Sequence, residues 1–206
     1  MRLNLYNIFT GVAVAIMGGF LVPQISEAIK TEDPDTPDSE VLQKSLFCMT
    51  MLGVGECLGG LAIGKFVDKT SSRAGLVYFL VETWIACGIT LYAHWLERYG
   101  WHWFVVCFMW GIIDSSGATL ASIILGFEFV EKTEPFSVYR FLRAFTTFGI
   151  LLIESELKNA TAGRGYLAVV CAIGTISILR ALSFDFKKNG DKKIIKVVPM
   201  DTKRTT

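Results

Sequence analysis

The stretch of sequence that decides the fold runs from residue 53 to residue 73 and reads GVGECLGGLAIGKFVDKTSSR. An apolar, glycine-rich segment carries a single acid and ends in a short polar loop with the pattern G-x-x-x-D-K-x-x-x-R. The residues that make up this pattern are Gly64, Asp68, Lys69 and Arg73. A second apolar segment follows at once, so the loop joins two long hydrophobic segments. This arrangement is typical of a multi-pass membrane protein.

The composition supports a membrane protein, because 52% of the 206 residues are hydrophobic and they are gathered in long runs. Runs of about 18 or more apolar residues with few charges predict membrane-spanning helices. Six such runs are present, over residues 5–25, 46–66, 75–95, 103–127, 136–153 and 166–182. We therefore expect an all-α integral membrane protein in which residues 1–183 form a bundle of six transmembrane helices and residues 184–206 form a basic tail.

The distribution of basic residues gives the bundle a direction. Six spans place both termini on the same side, and placing the 64–73 loop in the cytoplasm makes both termini cytoplasmic. Fifteen of the 20 Lys and Arg residues then lie on the inner side, and five lie on the outer side, namely Lys30, Lys44, Arg98, Lys158 and Arg164. Excess positive charge on the cytoplasmic side is what the positive-inside rule requires.

The outer connections agree with this topology. Residues 26–45 are acidic and broken by two prolines, so we expect a solvated loop there. Asn159 opens an Asn-Ala-Thr sequon between the fifth and sixth spans and is a candidate glycosylation site.

Acids inside the spans are the strongest indications of function, because an ionisable group in the bilayer core costs about 2.5–3.5 kcal/mol. Glu56 lies on the same helical face as Gly53, Gly60 and Gly64, where glycines allow a neighbouring helix to approach closely. Two interpretations are open: Glu56 couples transport to protons or cations, or it is a protonated acid that ties two helices together.

The fourth span contains the most polar patch of any span. Asp114 is followed by Ser115 and Ser116 and flanked by glycines, which predicts either a substrate-facing, hydrated cavity or another interhelical tie. The only polar residue next to Glu82 in the third span is a threonine. Asp114 is therefore the leading candidate for a coupling or substrate-facing residue.

The sequence contains nothing that predicts catalysis or a metal site. His94 and His102 stand in an aromatic cluster between the third and fourth spans, which favours an interfacial belt. The five cysteines lie within spans without ligand spacing, and no Ser/His/Asp arrangement, HExxH or phosphate-binding loop is present. We expect no catalytic residues, no cofactor, no metal and no nucleic-acid partner.

Several segments together resemble one family. The 64–73 loop resembles the signature loop of the major facilitator superfamily. The GVGECLGG, GIIDSS and FSVYRF segments, at residues 53–60, 111–116 and 136–141, are similar to segments of the UNC-ninety-three-like branch, the ion-channel regulatory protein group. The resemblance is to the C-terminal six-helix half of a full-length member.

The resemblance implies a non-enzymatic membrane protein that regulates an ion channel or escorts another membrane protein. Carried over by position, Glu56 and Asp114 are the family's intramembrane acids, and the signature loop holds two six-helix halves together. One half alone cannot rock against another. We therefore expect a homodimer or a partner membrane protein, either an ion channel or a separate N-terminal half. A solute or ion transporter formed by such pairing is the alternative function.

Overall fold

The computed structural model describes residues 3–129, 133–157 and 160–186, and all regular secondary structure in them is helical. Helix α1 covers Asn4–Ala15 and continues through a π-helical turn, Ile16–Phe20, into α2, Leu21–Glu32. The remaining helices are α3 (Asp38–Lys69), α4 (Ser72–Leu96), α5 (Trp101–Glu128), α6 (Thr133–Glu154) and α7 (Ala160–Leu182).

The expectation of six membrane-spanning helices is confirmed to the extent that six helices are long and apolar enough to cross a membrane. The first is the continuous segment Asn4–Glu32, formed by α1, the π-helical turn and α2, and the others are α3 to α7. Each observed helix contains the predicted apolar run and extends beyond it at one or both ends. Hydropathy located the centres of the spans, and the helices continue into polar sequence.

The expected solvated loop over residues 26–45 is wrong, because α2 continues to Glu32 and α3 begins at Asp38, leaving only residues 33–37 between them. Acids in the first turn of α3 interact favourably with its N-terminal dipole. Lys30 Nζ donates to Asp38 Oδ1 at 2.6 Å, and the hydroxyls of Ser26 and Ser45 lie 3.1 Å apart. These contacts hold the polar ends of both helices together above the apolar runs.

The spans are paired in a regular way. Helix α3 packs mainly on α5, α1 packs on α6, and α4 packs on both α5 and α7, while α1 also contacts α7. These main contacts are preserved when the first three spans are exchanged with the last three: the α3–α5 contact becomes the α1–α6 contact, α4–α5 becomes α1–α7, and α4–α7 maps onto itself. The bundle thus has the contact pattern of two three-helix repeats.

Glycines set the close approach of α3 and α5, but of the three that the sequence predicted only Gly60 lies at this contact, where an added Cβ would be 2.7 Å from Ser115 Oγ. A Cβ added at Gly59 would lie 2.6 Å from the Ile112 carbonyl oxygen, and one added at Gly55 would collide with the Phe108 backbone. Gly53 and Gly64 have no such neighbour within 4 Å. The contact stripe of α3 therefore runs through positions 55, 59, 63 and 67, and Glu56 lies at its edge.

The two ends of the bundle differ in chemistry. At the end that carries Thr70, the Ser71 side chain accepts a hydrogen bond from the amide of Ala74 and caps α4. At the end that carries Thr36, Trp95 and Trp101 are exposed by 73% and 75% on either side of the α4–α5 turn. Exposed tryptophans at this position fit the interfacial aromatic belt expected from the sequence.

Candidate functional site: a charged cluster at the middle of the bundle

An ion pair lies at the centre of two neighbouring spans. Asp114 is the fourteenth of 28 residues in α5, and Arg143 is the eleventh of 22 residues in α6. Arg143 Nη2 donates to Asp114 Oδ1 at 2.6 Å, and the two side chains are 25% and 16% exposed. In a bilayer this pair would be near the midplane, where a charge needs a partner.

Two further contacts orient the guanidinium of Arg143. Its Nη1 donates to the hydroxyl of Tyr139, one turn earlier on α6, at 2.9 Å. The backbone of α6 at this point lies directly against Gly11 of α1, and the Thr147 hydroxyl donates to the Gly11 carbonyl at 2.9 Å. The packing of α1 against α6 therefore fixes the position of Arg143 along the bundle, and the Arg143 side chain extends towards α5.

Glu56 completes a cluster that we call the mid-helix triad, composed of Glu56, Asp114 and Arg143. Glu56 is half-buried, is the nineteenth of 32 residues in α3, and interacts electrostatically with both other members. The triad contains two acids and one base. If both acids are ionised, one negative charge is left over, so the triad can take up one proton or one cation.

The position of Arg143 corrects one detail of the topology argument. Arg143 was counted among the cytoplasmic basic residues, whereas the structure places it at the middle of α6 in an ion pair. Removing it leaves fourteen basic residues on the predicted inner side against five on the outer side. The orientation predicted by the positive-inside rule is unchanged.

The two serines beside Asp114 contact α3. Ser116 is buried, and its hydroxyl donates to the Gly59 carbonyl at 3.3 Å. A Cβ added at Gly60 would meet Ser115 Oγ at 2.7 Å. In this state of the bundle both hydroxyls lie at the α3–α5 contact, and the substrate-facing role of Ser115 and Ser116 stays a prediction.

A groove runs along α6 beside the triad. Its volume is about 630 Å³, and its lining includes Arg143, Tyr139, Thr147 and Phe148 of α6 and Ala118 of α5. The groove is formed because α5 and α6 contact each other at few points apart from the ion pair. It is a lateral opening into the middle of the bundle that carries a guanidinium on its wall.

Two further acids, Glu82 and Glu154, are buried in the bundle, and neither is among the site residues predicted from the sequence. Glu82 is 6% exposed, lies beside Tyr78 and Ser116, and has one carboxylate oxygen without a hydrogen-bond partner among the described residues. Glu154 is 4% exposed and accepts a hydrogen bond from Tyr166 at 2.5 Å. Glu154 was missed because it follows the last apolar residue of its run and was assigned to a loop.

The residues of the 64–73 pattern lie at the Thr70 end of the bundle, in the end of α3 and the start of α4. Asp68 and Lys69 are exposed in the last turn of α3, and Gly64 is half-buried one turn earlier. Arg73, in the first turn of α4, stacks its guanidinium 5.9 Å from the ring centre of Phe186 and lies 3.5 Å from the Phe184 carbonyl. The loop thus contacts the segment that follows α7.

The remaining predictions concern the histidines, a metal site and residues towards the end of the chain. His94 is buried, with its ring nitrogens 2.9 Å from the Thr90 carbonyl and 2.8 Å from Gln24 Oε1. Within residues 3–129, 133–157 and 160–186, no group of three or more His, Cys, Asp or Glu is arranged to hold a metal ion. Asn159 and most of the basic tail, from residue 187, lie outside the described residues.

Comparisons with protein-family models, with curated proteins and with solved structures give no match for this chain.

Proposed function

We propose that the chain is a non-enzymatic multi-pass membrane subunit that regulates or escorts an ion channel or another membrane protein, with the architecture of one half of a major facilitator superfamily protein. The observation that carries this proposal is the partly exposed mid-helix triad at the least buried side of the bundle. A membrane protein that worked alone would leave these charges facing lipid.

The exposure of the ion pair supports a protein partner. Each charged side chain at the bilayer centre costs about 2.5–3.5 kcal/mol unless protein or water covers it. Two helices of the triad, α3 and α6, are also the least buried of the six spans. Only 6% of the residues in the most apolar segment of α6, and 22% of those in the most apolar segment of α3, are buried within the chain. A second helical protein on this side would cover both the apolar faces and the charges.

The contact pattern of the spans supports the choice of architecture. Exchange of the first three spans with the last three preserves the helix pairs, and nested three-plus-three repeats are the construction of each six-helix half in the major facilitator superfamily. In that construction a second half packs alongside the first. The signature-loop pattern and the triad acids, Glu56 and Asp114, supply the link to the regulatory branch.

The groove beside Arg143 favours a second candidate function, a solute or ion transporter made by pairing with another six-helix unit. A second copy or a separate N-terminal half would close the groove of about 630 Å³ into a cavity with Arg143 of the triad on its wall. Sites near the midplane between two repeats are where secondary transporters bind their substrates and coupling ions.

Site-directed photo-crosslinking in native membranes tests both functions. Phe148 lines the groove and is 62% exposed, while Ile176 on α7 is 61% exposed and provides a matched control position. A photoreactive residue at Phe148, but not at Ile176, is expected to give one discrete protein adduct. A channel or receptor subunit in that adduct supports the regulatory function.

The mass of the adduct distinguishes the two candidates. An adduct of twice the mass of the chain favours a transporter formed by two copies, and an adduct with a separate six-helix protein favours a two-gene transporter. Crosslinking to lipid alone at Phe148, at the same level as at Ile176, would contradict every function that requires a partner on this face.

A further inference from the structure

A second polar site, independent of the mid-helix triad, lies at the Thr36 end of the bundle. A cavity of about 530 Å³, here called the Glu154 cavity, is lined by residues that include Gly19, Pro23, Glu27, Lys30 and Glu154. It lies between the first span and the end of α6. Neither its residues nor its location were used in the proposed function.

Glu154 places an unused carboxylate oxygen at this cavity. The residue is 4% exposed, and its Oε1 accepts a hydrogen bond from the Tyr166 hydroxyl at 2.5 Å. Its Oε2 is buried and has no hydrogen-bond partner among the described residues. A buried polar oxygen without a partner is unfavourable by about 1–3 kcal/mol, more when it is charged, so a ligand that satisfies Oε2 would stabilise the fold.

The facing wall of the cavity includes Gly19, which belongs to the π-helical turn of the first span. Glu154 Oε2 lies against Gly19, where any added Cβ would collide with it. Gly19 is part of the π-helical turn Ile16–Phe20, a rare conformation that occurs frequently at functional sites.

The charges around Oε2 favour a cation. Glu154 is the last residue of α6, where the helix dipole is negative, and Glu27 adds a second carboxylate to the lining. Lys30 also lines the cavity, but its ammonium is bonded to Asp38 Oδ1 at 2.6 Å. The site therefore offers oxygen atoms and net negative charge.

We infer that the Glu154 cavity binds a monovalent metal cation of the sodium class, with Glu154 Oε2 as its charged ligand and the Glu27 carboxylate on the same lining. Hard cations take oxygen ligands such as carboxylates and backbone carbonyls. A monovalent ion is chosen because Glu154 is the one buried carboxylate among the lining residues, whereas Glu27 is only half-buried. One buried carboxylate matches one positive charge.

Thermal unfolding of the full chain in detergent tests this inference, with sodium, potassium or lithium chloride exchanged for choline chloride at constant ionic strength. A ligand that binds only the folded state raises the unfolding midpoint with the logarithm of its concentration. We expect at least one metal cation to raise the midpoint of the native chain by about 2–4 °C or more over choline. The Glu154→Gln variant, whose amide oxygen can still accept from Tyr166, should lose the rise.

Glu156→Gln is the matched control, because Glu156 is exposed two residues later and should keep the full response. If Glu154→Gln does not give a monodisperse protein, Glu154→Asp keeps the charge but withdraws it by one methylene and should need a higher cation concentration. Equal midpoints in all four salts, a midpoint that responds only to pH, or a response that Glu154→Gln retains would each overturn the inference.

Discussion

At the scale of single residues, Arg143 is the side chain with the largest influence on how the helices are arranged. Hydropathy assigned it to the first turns of a short span, where an arginine can extend to the membrane surface. The helix instead begins at Thr133 and ends at Glu154, which places Arg143 at its middle, 2.6 Å from Asp114. The ion pair bridges two helix pairs that otherwise meet at few points, so it has a structural role whatever its function.

Breaking the Asp114–Arg143 ion pair should lower the stability of the folded chain. Arg143→Gln leaves the Asp114 carboxylate without its cationic partner at the middle of the bundle, and we expect the free energy of unfolding to fall by about 1–3 kcal/mol. The double variant Arg143→Gln with Asp114→Asn removes both charges and should recover most of the loss. Thermal or denaturant unfolding in detergent measures both.

Arg140→Gln is the control for this experiment, because Arg140 is exposed one turn earlier on the same helix and is expected to change stability by less than about 0.5 kcal/mol. Equal stabilities for the single and double variants would show that Asp114 and Arg143 are not energetically coupled.

At the scale of secondary-structure elements, the contact between α3 and α5 is the most extensive in the bundle. In lipid, apolar side chains gain little from facing another helix, so close packing at small residues decides which helix faces meet. Gly55 and Gly59 let the backbone of α5 approach, and Gly111 on α5 does the same for α3, since an added Cβ there would collide with the Leu52 backbone.

Replacing each glycine of α3 by alanine should therefore have opposite effects on the two faces. Gly59→Ala forces a Cβ against the backbone of Ile112 and is expected to lower the free energy of unfolding by about 1–3 kcal/mol. Gly53→Ala, which has open space around it, should raise it by up to about 1 kcal/mol through helix propensity. Both variants make the same chemical change in the same helix, and the same sign of change for both would contradict the assigned contact face.

At the scale of the whole molecule, the direction of the bundle in the membrane stays a prediction from the basic residues and the signature loop. It implies that residues 33–37 face outward and that the 64–73 loop faces the cytoplasm. The structure supports the premise on which this depends, since six helices are long and apolar enough to cross a membrane.

Cysteine labelling in intact cells tests the direction. In a background whose five cysteines are replaced by alanine, Asp35→Cys should react with a membrane-impermeant maleimide added outside, whereas Asp68→Cys should react only after permeabilisation. Both positions are exposed, so they differ only in the predicted side. The reverse labelling pattern would invert the topology and place the Glu154 cavity on the cytoplasmic side.

The sequence by itself determined the number and the approximate centres of the six spans, because the hydropathy of a segment depends on that segment alone. It also singled out Glu56 and Asp114, since an acid inside an apolar run stands out without any knowledge of its neighbours. The same reasoning misplaced the ends of the helices at residues 26–45, where polar residues continue a helix as well as apolar ones do.

Only the tertiary structure decided which side chains meet. The pairing of Asp114 with Arg143, the unused oxygen of Glu154 and the choice of Gly55 and Gly59 over Gly53 all depend on how each helix is rotated about its axis. A soluble helix reveals that rotation through its apolar stripe. A helix surrounded by lipid is apolar on every side, so its contact face is fixed by packing and by a few polar contacts that lie far apart in the sequence.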